Sequence, residues 1–545
     1  MKALIAALLL TSAASVSAQT AAPPPAATPT TPPKLIVAIS VDQFAADLFQ
    51  QYRNHYTGGF TRLLNGAVFP SGYQSHAATE TCPGHSTILT GMRPAHTGII
   101  ANNWIDQRAG RPDKTVYCSE DERVTGSTHD SYTVSDMHLK VPTLGEMMKA
   151  RDPRTRSVSV AGKDRAAVMM GGHKVDELWW WDGKTYVSYA GRAVPPAVQR
   201  TRDAVAGLIA LPQKALPLPG YCAAVNHPIV IAGKTYGQGR FEREAGDAKG
   251  FRVSPASDAA VFAMAAALVQ DMKLGKGPQT DIIDIGASAT DYIGHTYGTQ
   301  GSEMCIQMAQ LDKTLGDFFA VMDETGVDYE VVLTADHGAH DATERQQQRA
   351  MPMEAHMDEN VLAKQVGTAI AGDMGLKGSV LLGTEGDVYI DDTLPAKTQA
   401  KVLAEALRRY RALPQIAGAY SAAEIMATPM AKTPPETWTL LERARASFYP
   451  GRSGQMVVLL KPRVTTIVSP AGGYVETHGS PWDYDRRVPI LFWRKGMTGF
   501  EQPLSVETVD IVPTLAATIG LPVSGLDGRC LDLDPGAAST CGTGG

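Results

Sequence analysis

The sequence predicts an α/β protein with one mostly parallel central sheet flanked by helices. Two observations carry that expectation. Leu35-Ile36-Val37-Ala38-Ile39-Ser40-Val41 is a near-continuous apolar run, as a strand covered on both faces requires, and comparable runs recur at Thr280 to Ile285, Glu330 to Thr334 and Val488 to Trp493. Helical periodicities lie between them, at Ser257 to Met272 and at Met304 to Met322. The second places apolar residues at 304, 308, 311, 315, 318, 319 and 322 and stops near Gly326. Strands alternating with helices imply a doubly wound sheet.

The N-terminus is expected to be an export signal. Lys2 precedes the apolar run Ala3 to Leu10, and Ser15-Val16-Ser17-Ala18 supplies small residues for cleavage near Ala18. That run is shorter than the roughly 20 residues of a membrane span. Residues 19–33 hold six prolines among Ala and Thr and read as an extended leader. A single catalytic domain is expected over 34–545, with insertions at about 170–250 and 340–475 that cap the active site. The Trp179-Trp180-Trp181 cluster falls in the first insertion and reads as packing.

Composition narrows the function. With 44% hydrophobic, 19% charged and 7% aromatic residues over 545 positions, the chain is an ordinary globular protein. Lys plus Arg number 50 against 56 Asp plus Glu, a formal charge of −6 that becomes −7 once Lys2 is cleaved away. This balance offers no electrostatic footprint for duplex nucleic acid. Six cysteines without a C-x-x-C suit disulfides in an exported chain rather than a zinc ribbon, and Cys530–Cys541 is the favoured pair.

The chemistry sits just after strands, where open α/β sheets bind ligands. Asp42 ends the first run, Asp336-His337-Gly338 follows Glu330 to Thr334, Asp291 and His295 follow Thr280 to Ile285, and His478 precedes Val488 to Trp493. Singly, each has an ordinary reading as a cap, a turn residue or an exposed histidine. Together, three Asp and three His are the oxygen and nitrogen ligands zinc takes. Asp291, His295 and His478 suit one ion and Asp42, Asp336 and His337 the other. Three protein ligands apiece leave an open position on each, as catalytic sites need.

Thr79-Glu80-Thr81-Cys82-Pro83-Gly84-His85 supplies a nucleophile. Pro83 suits the first turn of a helix, which puts Thr81 just ahead of it or at its cap, beside free N–H groups and the positive dipole end. A plain capping threonine is the competing reading. Cys82 is the rival nucleophile but, as the next residue, should point elsewhere. Asn102, Lys163 and Arg165 are candidates for substrate contact; on an extended Lys163-Asp164-Arg165 segment the two cations would share a face.

The ordered set Asp42, Thr81-Cys82-Pro83-Gly84-His85, Asn102, Lys163-Asp164-Arg165, Asp291-x-x-x-His295, Asp336-His337-Gly338 and His478-Gly479-Ser480 resembles the alkaline phosphatase superfamily. More narrowly it is similar to periplasmic, calcium-independent alkaline phosphatases with a threonine nucleophile, of the Sphingomonas type and related to nucleotide pyrophosphatase/phosphodiesterases. The resemblance spans essentially the whole mature chain and implies an alkaline-phosphatase-like fold and a phosphomonoesterase acting on small phosphate esters, some members also hydrolysing diesters; a monomer, periplasmic or secreted, is expected. It further implies two zinc ions per chain, Thr81 as both nucleophile and ligand, and a phosphothreonine intermediate, with Asn102, Lys163 and Arg165 on the phosphoryl oxygens. No partner membrane is implied. The serine nucleophile and magnesium site of the enteric enzymes have no matching motif, nor does the sulfatase C-x-P-x-R. Alternatives are a nucleotide pyrophosphatase/phosphodiesterase on the same metals and a non-catalytic periplasmic zinc-binding protein.

Overall fold

The computed structural model describes residues 31–237, 239–383, 386–536 and 539–542. The expected signal peptide, 1–18, lies outside the described residues. Among the described residues no helix is long and apolar enough to cross a membrane.

The strands that build and flank the site are, in chain order, β1 (Leu35–Val41), β2 (Ala67–Tyr73), β3 (Asn103–Ile105), β4 (Thr115–Tyr117), β5 (Ser157–Ala161), β6 (Glu177–Trp181), β7 (Tyr186–Val187), β8 (Asp281–Ala287) and β9 (Tyr329–Thr334). They continue with β10 (Leu381–Gly383), β11 (Asp387–Ile390), β12 (Ile416–Ser421), β13 (Met456–Leu460), β14 (Arg487–Arg494), β15 (Phe500–Glu501) and β16 (Val506–Glu507). The helices of interest are α1 (Thr81–Ile88), α2 (Asp164–Gly171), α3 (Pro255–Asp271), α4 (Ala289–Tyr297), α5 (Ser302–Glu324), α6 (Ala363–Asp373) and α7 (Ala396–Ala412).

Ten strands form the central sheet in the order β15-β2-β14-β9-β1-β8-β5-β6-β7, with β16 also on β2. The pairs β9–β1, β1–β8, β8–β5 and β5–β6 are parallel. Alternate residues of β1 enter two different cores: Leu35, Val37, Ile39 and Val41 pack with α3 and α5, whereas Ile36 and Ala38 meet Ile88, Ile511 and Leu515. Burial on both faces is why the run is almost wholly apolar, and each such side chain contributes about 1.5–3 kcal/mol.

The sheet departs from the sequence reading in three places. The run Val488 to Trp493, grouped with the parallel strands, lies in β14, which is antiparallel to both β9 and β2. An apolar run reports burial on two faces and not direction. Second, Trp179 to Trp181, expected in an insertion, belong to β6 in the central sheet, where Trp179 is 1% exposed. Third, β2 carries Pro70 and Gly72, which disguise it; a register shift between Val488 and Ile490 absorbs the irregularity.

Residues 381–460 build a separate four-stranded antiparallel sheet, β10-β11-β13-β12. Met456 and Val458 of β13 face a core with Ile370 of α6 and Ala406 of α7, while Val457 and Leu459 face Ala77 and Phe448. A cavity of about 590 Å³ runs between this sheet and the site, lined among others by Glu80, Leu382, Phe448, Leu459 and His478. Three disulfides join Cys82 to Cys118, Cys222 to Cys305, and Cys530 to Cys541, the last being the pair favoured from sequence.

Candidate active site

Four adjacent parallel strands, β5, β8, β1 and β9, end on one edge, and the first residues beyond them converge there. Asp42 follows β1, Asp336 and His337 follow β9, Asp291 and His295 lie one turn apart on α4 after β8, and Lys163 follows β5. Because β14 is antiparallel, its start lies at that same edge, which explains how His478 arrives from a loop before a strand rather than after one.

The histidines are held in one tautomer. Nδ1 of His295 bonds the Glu476 carbonyl at 2.8 Å, Nδ1 of His337 the Gly338 carbonyl at 2.9 Å, and Nδ1 of His478 the Thr79 carbonyl at 2.8 Å. A proton donated at Nδ1 leaves the Nε2 lone pair facing the site, the form a metal binds. Those Nε2 atoms meet carboxylates: Asp291 Oδ1 lies 3.3 Å from His295 and 3.4 Å from His478, and Asp336 Oδ2 lies 3.2 Å from His337. The His337 and His478 rings stack at 3.5 Å.

Two groups of potential ligands result, Asp291 with His295 and His478, and Asp42 with Asp336 and His85; within each, ligand atoms lie within 4.8 Å of one another. His85 is the member that sequence reasoning missed. Its Nε2 is 3.3 Å from Asp42 Oδ1 and its Nδ1 3.2 Å from Asp336 Oδ2. The i, i+4 spacing of Thr81 and His85 was the available signal, since it sets both on one face of α1. Oδ1 of Asp42, Oδ1 of Asp291, Oδ2 of Asp336 and Nε2 of His85 and His337 are buried and make no hydrogen bond within the protein. Buried polar atoms are rarely left so, and this many aimed at one place fit a bound cation.

Charge coupling is strong. Burial would push the Asp291 and Asp336 carboxyls up, but Lys163 and His295 hold the first, and His337 and His85 the second, well below the ordinary range. Burial opposes the charged form of His85, yet Asp336 and Asp42 raise it to about 10.

Thr81 opens α1 itself. Glu80, extended at φ −117°, is the N-cap, so Thr81 is the first helical residue rather than the cap or the residue ahead of it. Its Oγ1 lies 3.5 Å from Lys163 Nζ. Cys82 is consumed in its disulfide, which removes the rival nucleophile. The Cys82 N–H donates to Asn102 Oδ1 at 2.9 Å, leaving the Asn102 NH₂ for other partners, and the Asn102 N–H donates to Glu80 Oε2 at 2.6 Å. Gly84 is required by proximity, because a Cβ there would stand 2.0 Å from the Asp336 carbonyl. Gln43 adopts φ 64°, an uncommon conformation for a non-glycine residue, and its N–H donates to Asp336 Oδ1 at 3.1 Å.

Lys163 and Arg165 do not share an extended segment. Lys163 is the extended N-cap of α2, and Arg165 is the second residue of that helix. Lys163 Nζ reaches Asp291 Oδ2 at 2.5 Å and Asp42 Oδ2 at 2.9 Å. Arg165 is oriented by residues the sequence did not suggest: its Nη1 donates to the Tyr117 hydroxyl at 3.3 Å, and Tyr117 donates to Asp164 Oδ1 at 2.8 Å. Tyr132 donates to the other Asp164 oxygen at 2.8 Å.

A sheet edge carrying paired Asp/His groups, a hydroxyl at a helix start and adjacent cations lies here in a chain whose sequence relatives place it in the alkaline phosphatase superfamily. The architecture agrees: the crystal structure of the wild-type alkaline phosphatase PafA superposes with a TM-score of 0.80 at 24% identity, covering 92% of this chain and 99% of that one. The chain belongs to the type I phosphodiesterase / nucleotide pyrophosphatase family, whose profile matches residues 36–481. It is 58% identical to the alkaline phosphatase PhoK of a Sphingomonas species, over 93% of this chain and 92% of that protein. It is 46% identical to the alkaline phosphatase PhoD of Zymomonas mobilis, over 93% and 89%.

Proposed function

We propose that the protein is an exported, zinc-dependent alkaline phosphatase that hydrolyses phosphate monoesters through a phosphothreonine intermediate. The observation carrying this reading is the convergence of buried, unsatisfied carboxylate and imidazole atoms beside the Thr81 hydroxyl. Asp291, His295 and His478 would hold one zinc, and Asp42, Asp336 and His337 with Thr81 Oγ1 the other. Zinc at these positions would lower the pKa of a bound hydroxyl and offset charge on the leaving oxygen.

The chain's own residues do the rest. Thr81 Oγ1 attacks phosphorus, forming an O–P bond as the ester P–O bond breaks, and the alcohol leaves with a proton. Water then cleaves the phosphothreonine and restores the hydroxyl. Lys163, Arg165 and the Asn102 amide offset charge on the non-bridging oxygens, where phosphoryl transfer is chiefly stabilised. Export rests on residues 1–18 and is supported by three disulfides, which persist in oxidising compartments.

The family's name favours one alternative, a phosphodiesterase using the same residues. A paired assay of an aryl phosphate monoester and the matching bis-aryl diester, before EDTA, after it and after zinc is restored, separates the two. Zinc-restored turnover favouring the monoester is expected, with Thr81→Ala reducing kcat by about 10³-fold or more. Lys163→Ala and Arg165→Ala should cost the monoester more than the diester, because the monoester carries the additional negative charge. Preference for the diester, or equal losses on both, would overturn the monoesterase reading.

A further inference from the structure

Beside the site, Arg252 forms no ion pair among the described residues. Arg252 ends the short helix Ala248–Arg252, and its guanidinium lies 4.7 Å from the centre of the Tyr292 ring. Lys163 Nζ lies 5.0 Å from that ring. Lys163 is balanced by Asp42 and Asp291. Arg252 and Arg165 form no ion pair among the described residues, and the Nε of each is buried without a hydrogen bond. Both arginines are only partly buried; Arg165 has the Tyr117 hydroxyl, whereas Arg252 sits on a ring that Lys163 also approaches, with its N–H edge available to an anion. The transferred phosphoryl group satisfies Arg165. Nothing in that reaction satisfies Arg252.

Position indicates which part of the substrate does. Tyr292 directly follows Asp291 on α4, so the ring under Arg252 adjoins the group Asp291, His295 and His478, whose zinc, on the reading above, would take the leaving oxygen. Resting on the monoesterase reading above, we propose that Arg252, seated on Tyr292, is a specificity residue for phosphate esters and anhydrides whose leaving group carries a second anionic group, phosphate or carboxylate. A guanidinium held flat on an aromatic face keeps its N–H edge free for the planar, bidentate contacts such anions make.

The test compares inorganic pyrophosphate with phenyl phosphate on the zinc-loaded full chain and on Arg252→Met and Arg252→Lys. Arg252→Met keeps the apolar stem over Tyr292 and removes the charge. The expected result is that the kcat/KM ratio of pyrophosphate to phenyl phosphate falls about ten- to hundred-fold in Arg252→Met and recovers in part in Arg252→Lys. If pyrophosphate is turned over too slowly, its Ki as a competitive inhibitor replaces kcat/KM. Equal losses on both substrates would mean that Arg252 only supports Tyr292, and an unchanged ratio would mean that it meets no substrate anion; either overturns the proposal. Should Arg252→Met melt well below the parent, the Arg252→Lys ratio decides. A parent that hydrolyses neither substrate with zinc bound refutes the monoesterase reading instead.

Discussion

At the residue scale, the site depends on how few atoms hold two carboxylates facing each other. His85 touches both Asp42 and Asp336 through its two ring nitrogens, and Gly84 lets α1 come close enough for it to do so. A residue that aligns ligands should influence the metal before it influences chemistry. His85→Ala is therefore expected to weaken zinc binding by about 10–100-fold in a chelator competition, with kcat recovering as zinc is raised. Unchanged zinc affinity with lost turnover would assign His85 a direct role in the reaction. The principal candidates, Asp42, Asp291, His295, Asp336, His337 and His478, were legible because oxygen and nitrogen ligands beyond apolar runs, or for His478 ahead of one, form a recognisable pattern. His85 was not, because a histidine inside a helix has no such marker. Tyr117 was missed for another reason: its hydroxyl acts on Arg165 across 48 positions, a link that residue spacing does not encode.

At the element scale, strands were read well where burial is symmetric and poorly where it is interrupted. The runs behind β1, β8 and β9 announce themselves; β2 hides behind Pro70 and Gly72, and the direction of β14 is set by its neighbours rather than by its own residues. The accessory sheet contains an element with an unusual cost. Asp387 of β11 is buried, accepts the Gly454 N–H at 2.7 Å, and is pushed up to about 7 by burial. Its unfolded value is near 3.8, so the folded state keeps a proton that the unfolded state releases, and stability falls as pH rises from about 4 to 7. Asp387→Asn preserves an acceptor for Gly454 without that charge. Its melting temperature should exceed the parent's at pH 8.5, reflecting up to about 4 kcal/mol, and the gain should vanish at pH 4. A gain that is the same at both pH values would mean that the carboxyl ionises freely in the folded chain.

At the scale of the whole molecule, the proposed catalytic edge is assembled from segments far apart in the chain and then fastened. Asp42 and His478 lie 436 positions apart on the sequence numbering yet fall in the two groups of potential ligands. The fastening nearest to the chemistry is the Cys82–Cys118 disulfide, which ties the residue after Thr81 to the residue after β4. β4 also carries Tyr117, which orients Arg165, and the Cys118 N–H bonds the Asn102 carbonyl at 2.9 Å. Removing the bond with Cys82→Ser and Cys118→Ser together should lower kcat/KM for an aryl phosphate by more than it lowers melting temperature would suggest, by about tenfold or more, because several contacts of one substrate group loosen at once. A loss of stability with kcat/KM intact would limit the bond to a structural staple.

If the chain is exported as proposed, that disulfide would make maturation conditional on place. A reducing cytosol would keep Cys82 and Cys118 unjoined, and the proposed nucleophile Thr81 would then lack its covalent tie to the segment that positions Arg165 and Asn102. In an oxidising compartment the bond would close and fasten the helix of Thr81 to β4. On the proposed reading, the oxidation state of two cysteines would tie the alignment of the edge to the compartment the chain has reached.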